Sequence, residues 1–555
     1  MRTGFSGFAR FAAVRAGAGV VVAVMLVATD AAAPRFYPDD PIWTDDDRAF
    51  DASGVGTIED SNGYDFVANT FSNPGERRDV RAPNVNTVDE LPDSSWFTNR
   101  IGRRPMSVAD VVRGPDQRDG VDMAGWVVSG GKSSGVQPGF RMTDSSGQTY
   151  QIEVDPSSNP EMASGAEMIG TALYHAIGYS VVEVYLTELD PKTLVIADTA
   201  MMRDPLNGKR RRVRPRDLEL VFERAARQPN GRYRVLVSRF ASGRPIGNFR
   251  YYGTRPDDPN DVVAHEHRRE LRGARVFGAW LNHDDSRGVN SLDMLEAAGG
   301  RSWVKHYMFD FGSILGSGTV FAQRHRAGNE YIFEQRPGWL TLATLGFYIR
   351  PWMRIDYPDM PPSVGRIEAE VFDPQQWRPE YPNPAFDNMR SDDAFWAARI
   401  VSRFTDEMIR GVVAKAQYSD PKATEYLGDV MIKRRDKVVK AFINVVSPVV
   451  DAGLDADGTL RFANAAVDAR AATPPAGYTL QWFAFDNATD TRRDVGDPVQ
   501  VTSPEGRAPA ELLTGSDFIG VRVSAAHPDH PGWSSPASFT FRRAATGWDL
   551  VGVER

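Results

Sequence analysis

Along this chain the spacing of hydrophobic positions changes three times, and each change marks a boundary. Residues 34–125, rich in Asp, Asn, Pro and Gly as in FYPDDPIWTDDD and NVNTVDELPDSSWF, sustain no period. They predict an extended segment wrapped on the next domain and anchored by Trp43, Trp96 and Phe97. From Trp126, in GWVVSGGKSSGVQPGFRMTDSSGQTYQIEVDP, apolar and polar residues alternate in short runs parted by glycine turns. That is the two-residue period of half-buried strands. Met162, Ala166, Ile169, Leu173 and Ile177 then recur every three or four positions before Gly178, which predicts one helix with a glycine stop. VVEVYLTEL, TLVIADTAMM and RYRVLVSRF return to strands.

Beyond Tyr251 the helical period takes over. It predicts a helix from Val262 with charge on one face, a second from Ser391 repeating Trp396, Ile400, Phe404, Met408 and Val412, and a third from Asp420. From residue 448 onward strand signals reappear in YTLQWFAFDN, SDFIGVRVSAA and ASFTFRRA, giving a β-sandwich of about a hundred residues. The fold class is therefore α+β without internal repeats, in units 34–125, 126–250, 251–447 and 448–555.

Composition adds an address. Arg2, Arg10 and Arg15 flank a short apolar run followed by small residues, so residues 1–33 read as a signal peptide, with an uncleaved anchor as the alternative. No later segment resembles a transmembrane helix, and the protein is expected to be exported, periplasmic or extracellular. The chain has no cysteine, which excludes disulfides, thiolate metal sites and thiol catalysis. Its net charge of −8 falls to −10 without the leader, which carries three Arg and one Asp, and this speaks against an extended nucleic-acid surface. The basic run GKRRRVRPRD reads as a solvated hairpin or loop.

Candidate chemistry sits in HDDSRGVN, residues 283–290, directly after an apolar helix. A hairpin pattern with Gly299 and Gly300 at its turn comes next, ending in Asp310, Phe311 and Gly312. Phosphoryl transfer asks for such parts: a carboxylate to hold the acceptor hydroxyl, and oxygen ligands for one or two divalent cations that neutralise the transferred charge. Asp285 could be that carboxylate, and Asn290 and Asp310 the metal ligands, because the hairpin folds the second acid back beside the loop.

The segment resembles the catalytic core of the protein-kinase-like superfamily. His283, Asp285 and Asn290 match its H-R-D-x-x-x-x-N loop, and Asp310, Phe311 and Gly312 match D-F-G. Residues 126–447 share its order of strands, helix, strands and helices, in a texture nearest to secreted spore-coat-type and HipA-type kinases. The resemblance implies a two-lobed core, 126–250 and 251–447, using ATP or another nucleotide with Mg2+ or Mn2+. Asp285 would be catalytic, with His283 chiefly shaping the loop. The strand position that carries the family's phosphate-binding Lys is Glu153 here, so Lys132 beside Gly131 and Gly135 takes that role, with Glu167 or Glu161 as its helix partner. Asp284 replaces the family's Arg and reads as a surface acid or a further metal ligand. The acceptor is an unknown protein or small molecule.

Other readings stand beside this one. A non-catalytic secreted scaffold, with the β-sandwich binding a cell-envelope partner, is favoured by Glu153; a metal-dependent hydrolase would use the same oxygen ligands. Asp285 and Asn290 could merely cap a turn, and Gly130, Gly131 and Gly135 could form a plain hairpin. His265, Glu266 and His267 lack a metal-binding spacing and are expected on a solvated helix face. Trp482, Phe483, Phe485 and Trp533 are expected in a core rather than on sugars.

Overall fold

The computed structural model describes residues 33–132, 135–205 and 207–555; the leader assigned to residues 1–33 lies almost wholly outside the described residues. The chain is mixed α+β with several sheets. Residues 33–125 hold two short α-helices, α1 (Asn62–Val67), continued by a π-helical turn at Ala68–Ser72, and α2 (Val108–Arg113), within mostly irregular backbone. Trp96 and Phe97 are buried and Trp43 partly so, as expected of anchors. The segment reaches further than its neighbour, however. Phe36 packs on Phe485 near the far end of the chain, and the Asp60 carboxylate pairs with Arg250.

A seven-stranded sheet comes next, from β1 (Val127–Gly131), β2 (Gly139–Thr143) and β3 (Thr149–Val154), helix α3 (Met162–Ile177), then β4 (Val184–Leu189), β5 (Val195–Arg203), β6 (Arg210–Arg212), α4 (Pro215–Glu223) and β7 (Tyr233–Arg239). Its strand order is β4-β7-β3-β2-β1-β5-β6, antiparallel except between β1 and β5. Alternation drives this sheet: along β3, Tyr150, Ile152 and Val154 are buried while their neighbours are half-buried. Trp126 stacks on Tyr150 with ring centroids 4.2 Å apart. Helix α4, which the periodicity did not announce, puts Leu218 and Phe222 on this core, and the basic run splits between β6 and the start of α4.

The chain continues through β8 (Arg244–Pro245), α5 (Arg269–Leu281), β9 (Ser291–Ala298), β10 (Arg301–Met308), α6 (Gln335–Ala343), α7 (Pro384–Asp387), α8 (Ser391–Val401), α9 (Asp406–Lys415) and α10 (Pro421–Phe442). Strands β8, β9 and β10 form a small sheet, and α5 packs on α7, α8 and α10. The helix expected from Val262 starts only at Arg269, after a 3-10 turn at His265–His267. Apart from the half-buried Arg275, its charged residues are not solvated, in contrast to expectation. Arg269, Arg272 and Asp393 are wholly buried, and Arg269 pairs with Asp89, Asp392 and Asp393 at 2.9, 3.0 and 3.1 Å. His265 Nε2 meets Asp261 at 2.7 Å, and Glu266 accepts the backbone N–H groups of Glu76 and Gly253. Burial is possible because the N-terminal segment supplies partners that a helical wheel cannot show.

The remainder forms two sheets. Strands β11 (Val449–Leu454), β12 (Thr459–Asn464) and β15 (Glu505–Arg507) make one. The other runs in the order β14-β13-β16-β17-β18, from β13 (Gly477–Asp486), β14 (Thr491–Val501), β16 (Phe518–Ala526), β17 (Ala537–Ala544) and β18 (Gly547–Glu554). Trp482, Phe483, Phe485 and Trp533 are buried core residues.

Candidate functional site

The loop at 283–290 leaves from a fixed platform. Asn282 closes α5 in the left-handed conformation, φ 51°, which Asn tolerates better than most residues. Its amide donates to Gln323 Oε1 (2.9 Å) and accepts from Trp377 Nε1 (3.0 Å). Underneath, Trp280 Nε1 donates to the Met431 carbonyl of α10, and the buried Arg434 guanidinium donates to the carbonyls of Ala279 and Trp280 at 2.6 and 2.8 Å. A cation thus sits where the α5 dipole is negative.

Within the loop, two acids divide the work. Asp284 is buried rather than a surface acid; it accepts the Gly328 N–H (3.3 Å) and lies 3.6 Å from the Arg326 guanidinium, and burial pushes its pKa up to about 6. Asp285 turns the other way, forms an ion pair with Arg287, and accepts a long 3.4 Å bond from Ser313 Oγ. Burial is the main cause pushing Asp285 up to about 7, against Arg287, with the charge of Asp310 adding to the rise. The Asn290 Nδ2 group donates to the Asp285 carbonyl (3.0 Å), which leaves its amide oxygen available to a ligand.

The hairpin then returns the chain. Its ladder runs without a break from Ser291 opposite Met308 to Ala298 opposite Arg301, turning at Gly299 and Gly300 with φ 60° and 80°. Both turn residues need positive φ, which glycine supplies. Because Ser291 faces Met308, Asn290 and Asp310 lie just outside the same end of the ladder. Asp310 holds a left-handed backbone, φ 66° and ψ 52°, sparsely populated by residues other than glycine.

Phe311 anchors this turn. Its ring stacks on Tyr174 of α3 at 4.5 Å and leans on His283 at 5.7 Å. Tyr174 Oη is 2.8 Å from His283 Nδ1. Burial pulls the His283 pKa down to about 3, which disfavours a charged imidazolium at this position.

Helix α3 also brings Glu167 to the turn, where its carboxylate faces the backbone of Gly312. From the sheet, Lys132 pairs with Glu153 and donates to the Gln137 carbonyl at 3.0 Å. The acid standing at the strand position is therefore met by the lysine from the turn. Glu153 and Lys132 both act on Asp310, the first raising its pKa after burial and the second lowering it. Asp310 nevertheless keeps an exposed surface, so water screens these effects. Burial, followed by Asp310 and Glu153, raises Glu167 well above the usual carboxylate range. Lys132, Glu153, Glu167, Asp310, Asp285 and Arg287 are thus electrostatically one cluster. Gly130 and Gly131 belong to β1, with the Gly131 carbonyl accepting from Arg141 Nε; only Gly135, φ 85°, lies in the turn beside Lys132. Glu161 instead accepts from Ser419 beyond α9.

Among the described residues no group of three or more His, Asp or Glu side chains is placed to hold a metal ion. Mg2+ needs no such group, because it keeps several waters and is bound through one or two carboxylates and substrate phosphates. Asp310 and the free oxygen of Asn290 fit that smaller requirement.

No family model, curated protein or solved structure matches this chain. Two cavities, of about 650 and 450 Å3, lie elsewhere: one is lined by Arg77, Arg81, Asp387, Arg390 and Arg555, the other by Trp43, Val450, Phe539 and Trp548. Sequence reasoning missed Tyr174, Ser313 and Arg287. Arg287 alone carried a signal, as a cation two positions from the candidate carboxylate.

Proposed function

We propose that this chain is an exported kinase-like phosphotransferase that moves a phosphoryl group from a Mg2+- or Mn2+-nucleotide to an acceptor hydroxyl. The observation that carries this reading is the hairpin register, with Asn290 and Asp310 leaving one end of it beside Asp285. Further support comes from the strand order β4-β7-β3-β2-β1 with α3 between β3 and β4, which suits an upper lobe over the α5, α8, α9 and α10 bundle.

Each residue has a task in this reading. Asp285, pushed to about 7, is matched to taking a proton from an acceptor hydroxyl near neutral pH. Lys132, freed from Glu153 by phosphate oxygens, would hold the nucleotide, and Arg287 keeps Asp285 oriented. Asp310 and Asn290 would hold the cation, which when bound supplies neutralisation of the phosphate charge. Glu167, whose pKa burial and its acidic neighbours raise well above the usual carboxylate range, would stand beside the phosphates at the Gly312 backbone.

A second reading keeps the same cluster of residues without turnover. The Lys132–Glu153 pair favours it, since a lysine already matched by a carboxylate is less available to a phosphate.

Calorimetric titration of the protein with ATP and Mg2+ or Mn2+ is the test. The proposal expects metal-dependent binding that disappears in Asp310→Ala, together with slow nucleotide consumption that disappears in Asp285→Asn. Binding without consumption would leave the second reading in place. A folded protein that binds neither nucleotide nor metal would overturn both.

A further inference from the structure

Residues 332–355 carry a concentration of exposed apolar side chains. Helix α6 contains no buried residue, Trp339 is 68% exposed, Leu345 88% and Phe347 84%, and Leu342, Ile349 and Met353 are each more than half exposed. Large apolar side chains left this open in a row mark a surface awaiting a partner. The base of the segment is pinned, so it projects as a built element. Glu330 pairs with Arg350 and accepts from Trp352 Nε1 at 2.7 Å, and the Ile332 N–H donates to the Glu380 carbonyl. The patch also extends onto a second part of the chain. Phe71, 59% exposed, meets the Phe333 ring at 5.2 Å.

Charge selects the partner. Within residues 332–355 three cations, Arg336, Arg350 and Arg354, stand against one acid, Glu334, although the chain's net charge is −8; Arg350 is already paired with Glu330, which leaves Arg336 and Arg354 to meet a partner. A second copy seated here by a two-fold axis would bring one net-positive stretch against another, which is unfavourable. An anionic surface with an apolar interior answers both the arginines and the apolar row, and Trp339, Tyr348 and Trp352 are the residue types favoured at that boundary. Among the described residues no helix is long and apolar enough to cross a membrane, so the contact is in-plane. We propose that residues 332–355, with Phe71, form an interfacial element that docks this protein on the surface of an anionic lipid bilayer. The proposal stands independently of the phosphotransfer reading.

Because the chain contains no cysteine, Leu345→Cys offers one labelling site for a polarity-sensitive fluorophore on the full chain. Val499→Cys, half exposed on β14, is the control. Vesicles of phosphatidylcholine with phosphatidylglycerol are expected to shift the emission at 345 to the blue and not at 499, while phosphatidylcholine alone does so weakly. Arg336→Gln with Arg354→Gln should weaken binding about tenfold or more. Leu342→Asp with Phe347→Asp should abolish it with circular dichroism unchanged, since both positions are exposed. No shift at 345 on anionic vesicles overturns the proposal. So does a shift that needs only higher protein concentration, which would indicate a second copy, or only an added acidic protein.

Discussion

At the scale of single residues, Asp285 shows how function sets itself against stability. Its folded pKa is raised to about 7 from an ordinary 3.8, so between those values the folded chain holds a proton that the unfolded chain has released. Stability is then greatest below the lower value and is lost as pH rises through the upper one; Asp284, at about 6, acts in the same sense. Thermal unfolding between about pH 5 and about pH 8 should show a falling midpoint, and Asp285→Asn should flatten part of that fall. The same substitution should stabilise the protein by on the order of 1–2 kcal/mol at the alkaline end while removing turnover. An unchanged pH slope in the variant would place the ionisation elsewhere. The sequence displayed the candidate carboxylates by their spacing, but it held no sign of which way they point. Asp284 and Asp285 are adjacent and chemically identical, and only the packing of Arg326 on one and Arg287 on the other separates them.

At the scale of elements, α3 packs closely on the 311–313 turn. A methyl group added at Gly170 would lie 2.4 Å from Phe311 Cβ and 2.8 Å from Ile314 Cδ1. Helix propensity alone favours Ala over Gly by about 1 kcal/mol in an exposed helix. Here the crowding decides the sign, and Gly170→Ala is expected to destabilise by about 1–3 kcal/mol and to displace Asp310, read as weaker nucleotide binding. A stabilised variant with intact binding would disprove the close packing. Most of these elements were legible, because α3, α8, α9 and α10 show the helical period and β3, β13 and β16 the strand period. Two kinds of feature were not. Ser402 to Thr405 break the helix expected from Ser391 into α8 and α9 without interrupting its apolar spacing. The charges around Arg269 looked solvated because their partners, such as Asp89 and Asp393, lie more than a hundred positions away.

At the scale of the whole molecule, the N-terminal segment is the staple. Arg35 reaches Glu554, the Val553 N–H donates to the Thr87 carbonyl, and Phe36 is buried against Phe485 and Phe518. Phe36→Ala should cost about 3 kcal/mol or more locally, seen as faster amide exchange in β18 and around residues 35–45 with α5 unaffected. Uniform exchange changes would mean that one cooperative unit spans the chain.

The 519 positions between Arg35 and Glu554 also bear on biogenesis. During synthesis the segment around Phe36 emerges and waits, because the strand that Arg35 pairs with is translated 519 positions later. Loop closure grows costlier only slowly with length, so the delay burdens the rate of maturation more than the final stability. A ribosome stalled within β17 would carry a chain with its helices formed and the Arg35–Glu554 contact still open, exposed to proteases and chaperones until β18 arrives.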